Sequence, residues 1–127
     1  MADAKRVKIE CDFEPDAPQT LVDSRQMIAA LESIIARAVG AASEGGEVKV
    51  SLRRQGEALQ IEIEDNVATL NDNQRLDLFN PLASDRISQT SLGLAMARRI
   101  IEKHGGRISA RANEVSGTIV EIRLNPV

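Results

Sequence analysis

The side chains able to do chemistry are few in this sequence, and most of the usual groupings are missing. There is one histidine, His104, and one cysteine, Cys11, among 127 residues. A lone cysteine forms no intrachain disulfide, and one cysteine with one histidine builds no Cys/His zinc cluster. A nucleophile–base–acid triad would need His104. It stands directly before Gly105-Gly106 at a predicted helix end, a place that suits capping or packing. No strand leads into a Walker-type loop ending in Lys-Ser or Lys-Thr, and no Gly-x-Gly-x-x-Gly follows a strand, so the common phosphate cradles are absent. Glu62 and Glu64 alternate along a predicted strand and read as its solvated face. Asp65 differs from them. It ends the strand where a long irregular stretch begins, and a carboxylate there, above a cleft, is placed to accept a hydrogen bond from a ligand.

The elements that must position Asp65 follow from hydrophobic periodicity. Val7, Ile9, Cys11 and Phe13 alternate with Lys8, Glu10 and Asp12, the period of a half-buried strand. Pro15 and Pro18 stop it. Asp23 or Ser24 can cap a helix whose stripe is Met27, Leu31, Ile34, Ile35, Ala38, Val39 and Ala42, and Glu44-Gly45-Gly46 ends that helix. Val48, Val50 and Leu52, then Leu59, Ile61 and Ile63, predict two strands joined as a hairpin near Gln55-Gly56. The periodicity dissolves between Asn66 and about Thr90, leaving a candidate lid over about 66–90 with room for one helical turn. Connections of this length are more often functional than idle. A second helix from about Ser91 to Lys103 closes at Gly105-Gly106, and two strands, Ile108 to Ala112 and Thr118 to Leu124, complete the order. This predicts a single domain over residues 1–127: a two-layer α/β sandwich, a mixed sheet with helices on one face.

Composition narrows the function. Sixteen Lys and Arg against nineteen Asp and Glu give a net charge of −3, which offers no field to attract a polyanion. With two phenylalanines and neither tryptophan nor tyrosine, stacking platforms for unpaired bases are almost lacking. Nucleic acid is therefore not an expected partner. No run approaches a spanning helix of roughly 18 apolar residues, and the N-terminus has no apolar signal core. The expected setting is the cytoplasm, without direct membrane contact.

Several segments resemble the catalytic ATP-binding domain of bacterial sensor histidine kinases, the Bergerat or GHKL fold. They are Leu21 to Met27, Ala30 to Val39 and Ser43 to Val48. Leu78-Phe79-Asn80-Pro81-Leu82 is similar to that family's phenylalanine box. Ser91 to Gly106 closely matches its second glycine box and the helix that follows. The resemblance implies an ATP site and assigns positions to it. Two asparagines one turn apart, which hold magnesium and phosphates in the family, correspond to Ser33 and Arg37. The first glycine box corresponds to Asp65-Asn66-Val67-Ala68-Thr69, keeping the adenine-reading Asp65 but with Val67 and Thr69 in place of glycines. In the second box Gln89-Thr90-Ser91-Leu92-Gly93-Leu94 retains only Gly93, with Thr90 and Ser91 at the phosphate end.

These departures change what the resemblance implies. Magnesium needs oxygen ligands in near-octahedral order, and a guanidinium supplies none. Magnesium binding is therefore expected to be lost and ATP binding impaired, with no catalytic residue in this chain. Arg37 offers a counter-reading, in which it contacts the phosphates in place of the metal. Phosphoryl transfer relies on bridging metal, and the family's phosphoacceptor histidine lies on a separate helical hairpin. The reading is a two-component signalling module that docks a response regulator, a kinase or histidine phosphotransfer helices, monomeric by itself. Arg98, Arg99 and Lys103, with Arg53 and Arg54, are candidate basic contacts. The alternatives are a working ATP-binding domain of a sensor histidine kinase, and a GHKL relative that binds a partner protein through the lid.

Overall fold

The computed structural model describes residues 7–15, 22–41, 46–65, 71–80, 89–113 and 117–125. Five strands form one sheet: β1 (Lys8–Phe13), β2 (Glu47–Gln55), β3 (Ala58–Asp65), β4 (Arg107–Ala112) and β5 (Thr118–Leu124). Their order is β1-β2-β3-β5-β4, with β1 parallel to β2 and every other pair antiparallel. The helices are α1 (Ser24–Ala41), the short α2 (Asp72–Leu76) and α3 (Gln89–Lys103). This is the predicted two-layer sandwich on a mixed sheet.

The core is where the two periodicities meet. α1 contributes Met27, Ala30, Ile34, Ala38 and Val39, and α3 contributes Leu94, Ala97, Ile100 and Ile101. Against them lie Val48 from β2, Leu59, Ile61 and Ile63 from β3, and Val120, Ile122 and Leu124 from β5. On β3 the alternation is regular enough to fix direction: Leu59, Ile61, Ile63 and Asp65 are buried, while Gln60, Glu62 and Glu64 between them are half-buried. Asp65 therefore points to the helix side.

Local chemistry sets the element ends. The Asp23 carboxylate accepts from the Gln26 amide at 3.0 Å and caps α1. The β2–β3 turn carries Gly56 at φ 62, a left-handed conformation that glycine adopts without penalty. At Gly106 the reason for glycine is contact: a Cβ there would lie 2.6 Å from the Arg123 carbonyl oxygen and 2.8 Å from Leu124. Asn71 opens α2 with a reciprocal capping box, its side chain accepting from the Gln74 amide while Gln74 accepts from the Asn71 amide.

Three expectations change in detail. β1 is exposed at all six positions, with Ile9 at 49% and Phe13 at 58%. It is an edge strand whose apolar side the helices do not cover, although its alternation predicts half burial. α3 starts at Gln89 and not at Ser91. Glu62 and Glu64 are half-buried, not fully solvated. Of the candidate lid, 71–80 is described: α2 followed by a turn that seats Phe79 in the core.

Candidate functional site

Asp65 and Arg37 form the most enclosed polar contact among the described ion pairs. Arg37 lies on α1, one helical turn beyond Ser33, and its Nη1 donates to Asp65 Oδ2 at 2.8 Å. The side chains are 9% and 0% exposed. A carboxylate this deep is tolerable only with a counter-charge and hydrogen bonds. The pair joins α1 to the end of β3, residues 28 apart in sequence.

Beside it, α1 and α3 approach closely at Ser33 and Gly93. A Cβ built on Gly93 would lie 3.0 Å from Ser33 Oγ and 3.4 Å from Ser33 Cβ. The absent Cβ is what lets the helices approach this closely. Because α3 runs from Gln89, the second-box segment is helical throughout, and only its first-turn amides escape intrahelical bonding. Gln and Ser in its first turn favour that helix more than glycine would.

Of the expected pocket residues, then, Ser33, Arg37, Asp65 and Gly93 converge where the two helices meet the end of β3. Val67 and Thr69 lie outside the described residues. Thr90 and Ser91 belong to the backbone of α3.

His104 has the structural duty its position suggests. The Ile100 carbonyl, at 2.8 Å from Nδ1, can only accept, so Nδ1 carries the proton. Nε2 accepts from the Asp23 amide at 3.0 Å. The ring thereby ties the end of α3 to the start of α1. The candidate docking cations are divided between the two layers: Arg98 pairs with Glu102 on α3, whereas Arg53 on β2 pairs with Asp12.

Two arrangements go beyond the sequence reading. One is the Arg37–Asp65 pair: the resemblance places both residues at one site, but not in contact with each other. The other is a network on the open face of the sheet. Arg111 reaches Glu62 at 2.5 Å and Glu121 at 3.5 Å, and Gln60 Nε2 donates to the same two acids at 2.8 and 3.2 Å. Burial by itself lowers the pKa of Arg111, but its contacts with Glu62 and Glu121 outweigh this and hold the guanidinium above its ordinary range. Asn113 Nδ2 donates to Glu64 at 3.0 Å. Among the described residues, no group of three His, Cys, Asp or Glu side chains could hold a metal ion, and no helix is long and apolar enough to cross a membrane.

Comparison with known proteins agrees with this architecture. Residues 22–127 match the family model described as histidine kinase-, DNA gyrase B- and HSP90-like ATPase. The chain is 32% identical over 124 residues to sporulation kinase B of Bacillus subtilis, covering 97% of this chain and 29% of that one. It is 29% identical over 117 residues to the alginate biosynthesis sensor protein KinB of Pseudomonas aeruginosa, covering 91% and 20% respectively. The chain thus spans less than a third of each of these relatives. The structure of the histidine kinase ThkA in complex with response regulator protein TrrA superposes with a TM-score of 0.81 at 17% identity, covering 99% of this chain and 36% of that one. With the matched family model, these likenesses establish that the chain belongs to the histidine kinase-, DNA gyrase B- and HSP90-like ATPase family, as a domain of the sensor histidine kinase type.

Proposed function

We propose that this domain uses the histidine kinase ATPase fold as a cytoplasmic docking module of two-component signalling, with impaired ATP binding and no magnesium site. The observation that carries this reading is the Arg37–Asp65 ion pair. By the family resemblance, Asp65 stands where adenine is read and Arg37 where an asparagine would hold magnesium. Here those positions are engaged with each other. A nucleotide that reached Asp65 would have to share its carboxylate with the Arg37 guanidinium, which already occupies Oδ2.

The donor set does not fit magnesium. A guanidinium presents only N–H donors, and Ser33 offers a single hydroxyl packed against Gly93. The same pairing weakens the counter-reading in which Arg37 holds the phosphates, because the guanidinium is already committed to Asp65. His104, bonded at both ring nitrogens, is in no position to accept a phosphoryl group. What remains is a folded scaffold with exposed surface, suited to docking. The partner class is a response regulator, a kinase or histidine phosphotransfer helices, and the ThkA–TrrA complex is a precedent for the first of these.

Calorimetric titration of ATP and ADP, with and without magnesium, tests the reading. Wild-type protein is expected to give no heat at millimolar nucleotide. Micromolar, magnesium-dependent binding that Asp65→Ala abolishes would restore the domain as a working kinase ATP-binding domain.

A further inference from the structure

The end of the sheet far from Asp65 holds an uncompensated pair of cations. Arg107 on β4 and Arg123 on β5 are direct cross-strand partners. Their neighbours Ile108 and Ile122 face the core, so alternation places both arginines on the open face. Like charges directly opposed across an antiparallel ladder are destabilising. The arginines elsewhere on this face are neutralised: Arg53 pairs with Asp12, and Arg111 with Glu62 and Glu121. Arg107 and Arg123 have no carboxylate within ion-pair distance among the described residues. The reason is visible one register row away. Glu62 and Glu121, the nearest acids along the ladder, are turned to Arg111 and Gln60.

Arg107 and Arg123 line a cleft of about 440 Å³ together with Glu57, Ala58, Gly105 and Asn125. Asn125 Nδ2 donates to the Gly105 carbonyl at 2.9 Å, fixing one wall. We propose that this cleft binds an oxyanion, a phosphate group or carboxylate bridged by Arg107 and Arg123. Two forked donor groups on adjacent strands match the several acceptor oxygens of such a ligand. Glu57 at the rim opposes the anion and weakens its binding. The site is remote from the Arg37–Asp65 pair and does not depend on how that pocket is read.

Inorganic phosphate, titrated into the folded domain at low ionic strength and followed by amide shifts, tests the proposal. Saturable shifts are expected at Gly105, Arg107, Arg123 and Asn125. Arg107→Gln or Arg123→Gln should weaken binding at least tenfold, while raising the thermal midpoint in phosphate-free buffer because the like-charge contact is gone. Glu57→Gln should tighten binding. Succinate competing with phosphate at these same residues supports the site and gives the oxyanion a carboxylate source; failure to compete supports it with a phosphate source. Shifts that do not saturate, or that persist in the Arg107→Gln/Arg123→Gln double variant, would overturn it.

Discussion

Arg37 and Arg111 each hold a carboxylate of β3, and the two acids, Asp65 and Glu62, are three residues apart on that strand. They face opposite sides of the sheet. On the helix side the Arg37–Asp65 side chains are 9% and 0% exposed; on the open side those of Arg111 and Glu62 are 52% and 16% exposed. The same pairing chemistry therefore sits in two solvents. Where water is excluded, no solvent replaces a lost counter-charge, so breaking the pair is costly. Where water reaches the guanidinium, breaking the pair exchanges one set of hydrogen bonds for another. The contrast makes the helix-side pair the more costly of the two to break.

Substitutions can sharpen or break that comparison. Arg37→Ala is expected to have the largest effect, a loss of about 3–5 kcal/mol in chemical denaturation, because it removes the cation from the buried Asp65 carboxylate. The double variant Arg37→Leu/Asp65→Leu should recover most of that loss, since an apolar pair of similar volume replaces the ions without an orphaned charge. If the double variant were as unstable as the single one, the pair would not be the source of the effect. Gly106→Ala should cost about 1–3 kcal/mol by overpacking against the Arg123 carbonyl and Leu124, read as a lower thermal midpoint.

His104→Ala comes next. It removes the acceptor of the Asp23 amide and the donor to Ile100, and should cost about 1 kcal/mol. Faster amide exchange at the start of α1 would confirm that the link between helices had been lost. Arg111→Ala should shift stability by less than about 1 kcal/mol, as for an exposed ion pair, and the shift should shrink further at high salt. An Arg111→Ala effect equal to that of Arg37→Ala would erase the distinction between the two faces.

Much of the fold is legible along the chain because its signals are local. The period of two in Leu59, Ile61 and Ile63 carries on to Asp65 and sets the side on which its carboxylate lies. The capping role of Asp23, the turn at Gly56 and the close of α3 at Gly105-Gly106 are each written in one or two residues. Burial is less local. Val7 to Phe13 shows the same alternation as β3 yet forms an exposed edge, because alternation tells which residues share a face and not whether a second layer covers it. The boundary of α3 moved for a related reason: Gln89 and Thr90 carry no strong stop signal, so the helix extends two residues earlier than the apolar stripe marks.

The sequence by itself determined the element order, the sandwich class and the family resemblance, and it put Ser33 and Arg37 forward as candidate pocket positions. It left the fate of Arg37 open between phosphate contact and loss of function. Only the tertiary structure decided that Arg37 meets Asp65, that Gly93 brings α3 onto Ser33, and that Arg107 faces Arg123 while the neighbouring acids serve Arg111. Periodicity fixes the direction of a side chain relative to its own element. Which charges neutralise one another depends on how helix and strand are offset in space, and that offset is set by packing across the whole core.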